Sequence, residues 1–505
     1  MRLTRTDKAG LLSFGQAAEF LARLVVAGIL ARYLSRSDNG VFRLLWVVYF
    51  LLIPFFYVGL DPAIYYFWPK AGREGRRELV LQSLLLHTAA GLLFAVIMFG
   101  GASVLAWCWR MPEIEAPLRA FSLFPLLAMP ALASQAFLMS ADRPILAAVM
   151  SFANRVTPSL VCGVALAAFA LSLTTTFLLV DAAAALILII ALVLSLRQAG
   201  GSPFRWDWRR IREQVRFALP MGTPAIASSL SQRLGQLIVP FFYSSAGYAA
   251  YSLGSIELPV FTVLTTPANV VILPEMSAHA AAGRTDLLID VWHRAIRKVA
   301  FLILPATAFL LAYARETILI LFSSEYADSI PIFMILLGVL PTQIANFMTP
   351  LMLMKRSRIV AIGSIISIGT LAVLSLTLIP LLRLVGDPYG LWAAGAAAVL
   401  SHAVYTGYFV VQTRRVLGAS SAGGLGASSA GVLPWRYLGV TSGLAALAAG
   451  ASLLVKLLHW APVPQFLVGG VAFCLVFGPL ALVTGIFPEL ERERLRKLWR
   501  AVTGS

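Results

Sequence analysis

Residues Val161–Leu196 read VCGVALAAFALSLTTTFLLVDAAAALILIIALVLSL, an apolar run with one charged side chain, Asp181. Roughly 18 apolar residues suffice to cross hydrocarbon as a helix, and this run holds two such lengths with a polar turn at Ser172–Thr174. Leu84–Leu105 and Ile359–Leu382 repeat the pattern. Hydrophobic residues make up 59% of the 505 positions and charged ones 12%, against about half and a quarter in a soluble domain. Such an excess needs an apolar solvent outside as well as a core inside. The chain therefore reads as an all-α integral membrane protein with about fourteen transmembrane helices.

The helices fall near 10–34, 41–68, 80–108, 117–140, 145–172, 175–197, 217–243, 248–275, 298–322, 330–354, 359–383, 389–412, 437–457 and 465–486. No cleavable signal peptide is expected, because the first run carries Glu19 and Arg23 and leads into a second. The net charge of +17 follows from topology. With both termini in the cytoplasm, 29 of the 40 Lys and Arg lie inside, 8 lie outside, and Arg23, Arg155 and Arg233 lie within helices. This is the positive-inside rule, and it directs the basic loops to lipid headgroups rather than to nucleic acid. Cys108, Cys162 and Cys474 are scattered over three apolar helices and read as small filler, with no metal site.

The outside loops are short, so no large domain stands there to house a catalytic site. Pro203–Phe217 and Leu287–Ala295 read as interfacial amphipathic helices resting on headgroups. GASSAGGLGASSAG (Gly418–Gly431) is a flexible linker. The expected organisation is a six-helix bundle over 1–200, a second over 201–415, the linker at 416–436, and a terminal helix pair with a charged tail over 437–505. The last pair then reads as an appendage to a twelve-helix core. Arg23 and Arg233 are 210 positions apart, and Pro62/Pro267 and Pro69/Pro274 are each 205 apart. These offsets fit parallel pseudo-repeats, a transporter feature that places a substrate site between the halves near mid-membrane.

Several stretches carry a family resemblance in their order and spacing. They are ARYLSRSDNGVF (Ala31–Phe42), Val58–Ala63, Ser245–Tyr251, Leu273–Ser277, ILFSSEYADSIPIF (Ile320–Phe333), Lys355–Arg358, Ile379–Pro380 and Gly390–Gly395. Over residues 10–415 the chain resembles the polysaccharide-export branch of the MATE-like (MOP) flippase superfamily, the O-antigen or exopolysaccharide repeat-unit flippases. The last two helices match its fourteen-helix members. The resemblance implies two six-helix bundles around a central cavity in a bacterial cytoplasmic (inner) membrane. It also implies outward movement of polyprenyl-diphosphate-linked glycan by alternating access, beside glycan polymerase machinery.

Neither GxxxxGK[ST], HExxH nor CxxC occurs, so no catalytic residue, cofactor or ATP-driven step is expected, and proton or sodium coupling fits instead. Ionisable groups inside helices are informative because each costs roughly 2.5–3.5 kcal/mol at mid-helix. Arg23, Arg155 and Arg233 are the substrate-binding candidates. A guanidinium can grip phosphate oxygens through two parallel bonds. Glu19 stands at i, i+4 from Arg23, so a purely structural pair remains open there, and Arg155 stands near Pro158, whose ring frees a backbone carbonyl. Glu19, Asp61, Asp181 and Glu257 are the ion-coupling candidates. His87 and His402 read as satisfied core histidines.

One alternative is a cation-coupled small-molecule or drug exporter of the same superfamily, which the helix arginines disfavour. Another is a membrane glycan polymerase or glycosyltransferase, which needs a large outside loop. The charge distribution yields a topological prediction. In a cysteine-free background, Ser244→Cys and Ser324→Cys should react with an impermeant maleimide in outer-membrane-permeabilised cells, and Ser202→Cys should not. The opposite labelling pattern would invert the topology.

Overall fold

The computed structural model describes residues 21–199, 206–256, 272–421 and 432–487; side chains are described for all of these except Arg73, Glu74, Pro224 and 417–421. Among the described residues the chain is helical with short connections and no strand. In chain order the helices are α1 (21–33), α2 (Arg36–Tyr57), α3 (Leu60–Phe67), α4 (Gly72–Trp109), α5 (Glu115–Phe121), α6 (Phe124–Ser140), α7 (Pro144–Ala167), α8 (Leu173–Gln198) and α9 (Trp208–Ile238). They continue as α10 (Ser245–Gly254), α11 (272–281), α12 (Thr285–Ala312), α13 (Ala314–Leu321), α14 (Ser329–Leu337), α15 (Met348–Leu353), α16 (Ser357–Arg383), α17 (Asp387–Ser421), α18 (Trp435–Ser452) and α19 (Pro462–Val483).

Among the described residues, ten spans are long and apolar enough to cross a membrane. There are eleven if Pro112–Phe121 and Phe124–Ser140, bent by 42°, form one. These overlap eleven of the fourteen expected positions, the ninth running Thr285–Ala312 rather than 298–322, and the protein is a multi-pass membrane protein. The first and eighth positions run into residues outside the described ones. The seventh is α9, a helix too polar to count as a span by apolarity, with Thr223, Ser228, Ser229, Ser231, Gln232, Arg233 and Gln236 along it. The chain divides into two compact units, 1–252 and 253–505. The repeat boundary near residue 200 is a matter of sequence pattern that this division does not address.

The first unit is held by an aromatic core. Tyr49 of α2 stacks on Phe94 of α4 at 5.7 Å, Phe56 stacks on the same ring at 4.7 Å, and Trp46 meets Phe121 at 4.9 Å. Rings of this size dominate burial and favour such stacked and edge-on pairs. Ser35 caps α2 by accepting from the Asp38 amide. The span bends between α2 and α3, where Pro54 interrupts the hydrogen-bond ladder and Gly59 takes φ 66°. α9 packs into this bend. A Cβ on Gly222 would lie 2.6 Å from the Val58 Cα, and one on Gly59 would collide with the Ala218 carbonyl. Only glycine fits both positions.

Two stretches expected as separate interfacial helices lead into longer helices instead. The segment Leu287–Ala295 is the start of α12, with Leu288, Val291 and Trp292 buried and the Trp292 indole donating to the Asn346 carbonyl at 3.1 Å. Its apolar stripe faces protein. The described part of Pro203–Phe217 leads into and begins α9, with Asp207 capping it and Gln214 accepting from Ser83 at 2.8 Å. The Gly418–Gly431 linker lies mainly, and the charged tail beyond 487 wholly, outside the described residues.

In the second unit the terminal pair, α18 and α19, packs on α12 through Ala445, Ala448, Phe473 and Phe477 against Phe301 and Phe309. Lys456 pairs with Glu316 of α13 at 2.9 Å, and the Tyr313 hydroxyl donates to the Ser452 carbonyl at 2.6 Å. A chain cut near Ala419 would strip Glu316 of its lysine and Phe309 of the Phe466 and Phe473 rings. Glu316 retains 6% of its side-chain exposure and Lys456 31%, so the loss of one partner is costlier than the loss of both. Lys456→Met should therefore lower the thermal midpoint of the detergent-purified chain, by on the order of 1–3 kcal/mol of stability. Glu316→Gln/Lys456→Met should recover most of that loss. A double variant no better than the single would mean the pair is not coupled.

Candidate functional site

The helix arginines are placed by helices of the first unit. Ser229 on α9 donates its hydroxyl to the Phe50 carbonyl of α2 at 3.0 Å, fixing the two helices in register. Four residues on, one helical turn, α9 brings the Arg233 guanidinium over the Phe50 ring, 4.9 Å from its centroid. Arg23 of α1 stands over the same ring at 5.6 Å. Two guanidiniums 210 positions apart in sequence thus meet on one aromatic ring. Both distances lie within the range of cation–π attraction. The N–H edge is the part that recognises phosphate.

Arg155 of α7 belongs to the same neighbourhood electrostatically. Its charge and that of Arg23 both act on the Tyr49 hydroxyl, next to Phe50, while Arg233 and Arg43 act on the Tyr248 hydroxyl of α10. Arg155 is exposed, and its neighbour Asn154 donates to the Ala131 carbonyl at 3.2 Å, joining α7 to α6. The result is a polar, cationic region of the first unit, backed by the aromatic core.

The carboxylates separate. Asp61 sits in the first turn of α3, with Oδ1 3.7 Å from Nε2 of His87 on α4. Asp181 on α8 is 3% exposed, and neither of its oxygens has a hydrogen-bond partner among the described residues. Glu19 and Glu257 lie outside the described residues, so the Glu19–Arg23 pairing lies outside them too. His402 reaches the Ala398 carbonyl through Nδ1 at 3.0 Å, a satisfied ring. No group of three or more metal-ligating side chains occurs among the described residues, and the three cysteines are free.

The arginines stand out in the sequence, but Phe50, the ring that joins two of them, does not. An isolated phenylalanine among Tyr49, Phe55 and Phe56 carries no signal of its own. Ser229 was equally silent, although the unusual polarity of residues 223–236 for a spanning helix marks that face. His87 was visible in sequence, but its carboxylate partner was not, because 26 positions separate them.

Comparison with solved structures gives the fold. The lipid II flippase MurJ, in an inward closed conformation, is similar with a TM-score of 0.72 at 12% identity, over 94% of this chain and 99% of that one. A multidrug resistance MATE family transporter of the MOP superfamily is similar with a TM-score of 0.55 at 15% identity, over 85% and 97%. A MOP superfamily transporter from Pyrococcus furiosus gives 0.54 at 15%, over 83% and 97%. These neighbours are flippases and transporters, not enzymes. No curated protein matches in sequence. The polysaccharide biosynthesis protein family matches residues 29–331, more than half of the chain, and the protein belongs to that family.

Proposed function

We propose that this protein is a flippase that moves polyprenyl-diphosphate-linked oligosaccharide repeat units outward across a bacterial cytoplasmic membrane by alternating access. Both termini lie in the cytoplasm, two six-helix bundles rock about the substrate, and an ion gradient drives the cycle through one of Glu19, Asp61, Asp181 and Glu257. The observation that carries this reading is the meeting of Arg23 and Arg233 on Phe50, 5.6 Å and 4.9 Å from the ring centroid.

A diphosphate joining lipid to glycan carries a negative charge on each of two adjacent phosphates and offers non-bridging acceptor oxygens on both. Guanidiniums brought in from two helices match that spread better than one cation would, because each presents a planar fork of donors. Arg155 extends the cationic field on the α7 side. A positive site of this kind repels a cationic drug, so the arrangement supports an anionic, lipid-linked substrate over the small-molecule exporter. Family membership and the similarity to a lipid II flippase support the same choice. In such a system the glycan polymerase machinery takes up the exported unit.

If the arginines hold the diphosphate, geometry matters as well as charge. Arg233→Lys should impair export partly. Arg233→Ala should reduce it by on the order of tenfold to a hundredfold, as expected for lost hydrogen bonds between charged groups. Membrane levels of protein should stay unchanged in both. Glu19→Gln/Arg23→Gln should remain as defective as Arg23→Gln, whereas recovery in the double variant would make Arg23 a structural partner of Glu19. The readouts are repeat unit accumulating on the cytoplasmic side and loss of surface polysaccharide. Normal polysaccharide from both Arg233→Ala and the double variant would overturn the diphosphate site.

A further inference from the structure

Below the arginines, where α2 bends into α3, two polar atoms face each other with no proton donor between them. His87 is fully buried, and its Nδ1 lies 2.7 Å from the Ser83 carbonyl oxygen. A carbonyl only accepts, so Nδ1 must carry the hydrogen, which assigns the ring tautomer from its hydrogen bond. In the neutral ring Nε2 is then a bare lone pair. It points at Asp61 Oδ1, 3.7 Å away, which in the carboxylate is also a bare acceptor. Both atoms are buried, and neither has a hydrogen-bond partner among the described residues. Two buried acceptors face to face are unfavourable, and one proton turns them into a charge-assisted N–H···O bond.

We propose that Asp61 and His87 together form the proton-binding site through which transport is coupled, a role that rests on the flippase reading above. The proton adds to the Nε2 lone pair, leaving an imidazolium bonded to the Asp61 carboxylate. No other bond forms or breaks. Asp61 keeps 29% of its side chain exposed, so the proton has an entry from water while His87 stays enclosed.

Few ionisable groups face the pair. Tyr57 of α2 lies within hydrogen-bonding reach of the Asp61 side chain and meets the His87 ring edge-on at 5.3 Å, and Tyr65 of α3 feels the same carboxylate. Glu78, nearer the start of α4, is engaged by Arg210 of α9 at 2.5 Å. Gln214 of α9 is bonded to Ser83, while Arg212, Glu213 and Arg216 of that helix are exposed. α6, which packs on both α3 and α4, has no ionisable side chain.

The site stands at a hinge. Asp61 is two residues past Gly59, and Val58 before it takes φ 21°, a conformation that β-branched residues rarely adopt. A proton that draws Asp61 toward His87 acts on this bend directly, and Gly222 of α9, set against Val58, receives the movement. Proton binding is thereby converted into a change of helix packing beside the helix that carries Arg233.

The test uses the full-length chain in lipid nanodiscs with 15N-labelled histidine. The variant His87→Gln identifies the His87 signals among those of the five histidines. In the unsubstituted chain, the His87 signals should show Nε2 gaining a proton as the pH is lowered, with Nδ1 protonated throughout. Asp61→Asn should displace the midpoint of that transition, and Asp61→Glu should restore it in part. The pH profile of repeat-unit export should move with the midpoint. A ring that keeps one protonation state throughout, or a midpoint unmoved by Asp61→Asn, would overturn the site and leave Asp61 as a first-turn acid on the α3 dipole. The spectroscopic reading needs no glycan, so it fails separately from the flippase reading, which the Arg233 variants decide.

Discussion

Hydrocarbon offers a polar side chain no partner, so every charge at membrane depth must be answered by protein, cavity water or ligand. The first unit is organised by that constraint. Its most polar helix, α9, is also the one set most tightly into the bend of the α2–α3 span, through Gly59 and Gly222. Ser229 bonds the Phe50 carbonyl, Gln214 takes the Ser83 hydroxyl, and Arg233 lies on an aromatic face. Each of these polar groups is placed where an apolar surface would have been cheaper to build. The aromatic core of Trp46, Tyr49, Phe94 and Phe121 provides the rigidity that lets the cations be held in one geometry.

The bend ties the two functional proposals together. Pro54 and Gly59 break the α2–α3 span between Phe50, which carries the arginines, and Asp61, which faces His87. A change of angle at Val58–Gly59 alters the relation of those two levels of the bundle. On these two proposals, proton occupancy at one level and phosphate occupancy at the other share a mechanical element. Coupling requires such an element, with both ligands biasing its state.

Much of this architecture was legible in the sequence, for reasons that also mark where legibility ended. Runs such as Leu84–Leu105 and Ile359–Leu382 are set by hydrocarbon thickness and appear as spans at the expected places. The helix arginines stood out because charge in an apolar run is costly. The periodicity of Leu287–Ala295 was equally plain, yet an apolar stripe does not say whether lipid or protein covers it, and here it is the core of α12. Phe50, Ser229 and the Asp61–His87 pairing depend on contacts between helices distant in sequence, which no local pattern encodes. The likeness of Arg23 and Arg233 in the two proposed repeats was the nearest sequence signal to the site, and the two guanidiniums share one ring.

The central claim is that this cationic site recognises a lipid-linked diphosphate. Its most direct measurement is equilibrium binding of polyprenyl diphosphate and of the uncharged polyprenol of equal length to the purified full-length chain in nanodiscs. The two ligands share a polyprenyl tail, so the tail's contribution to membrane partitioning cancels in the comparison. The account predicts that the diphosphate binds at least about tenfold tighter, a difference of ~1.4 kcal/mol or more, and that the preference weakens with salt. The preference should vanish in Arg233→Ala. Equal affinities for the two lipids, or a preference untouched by Arg233→Ala, would contradict it.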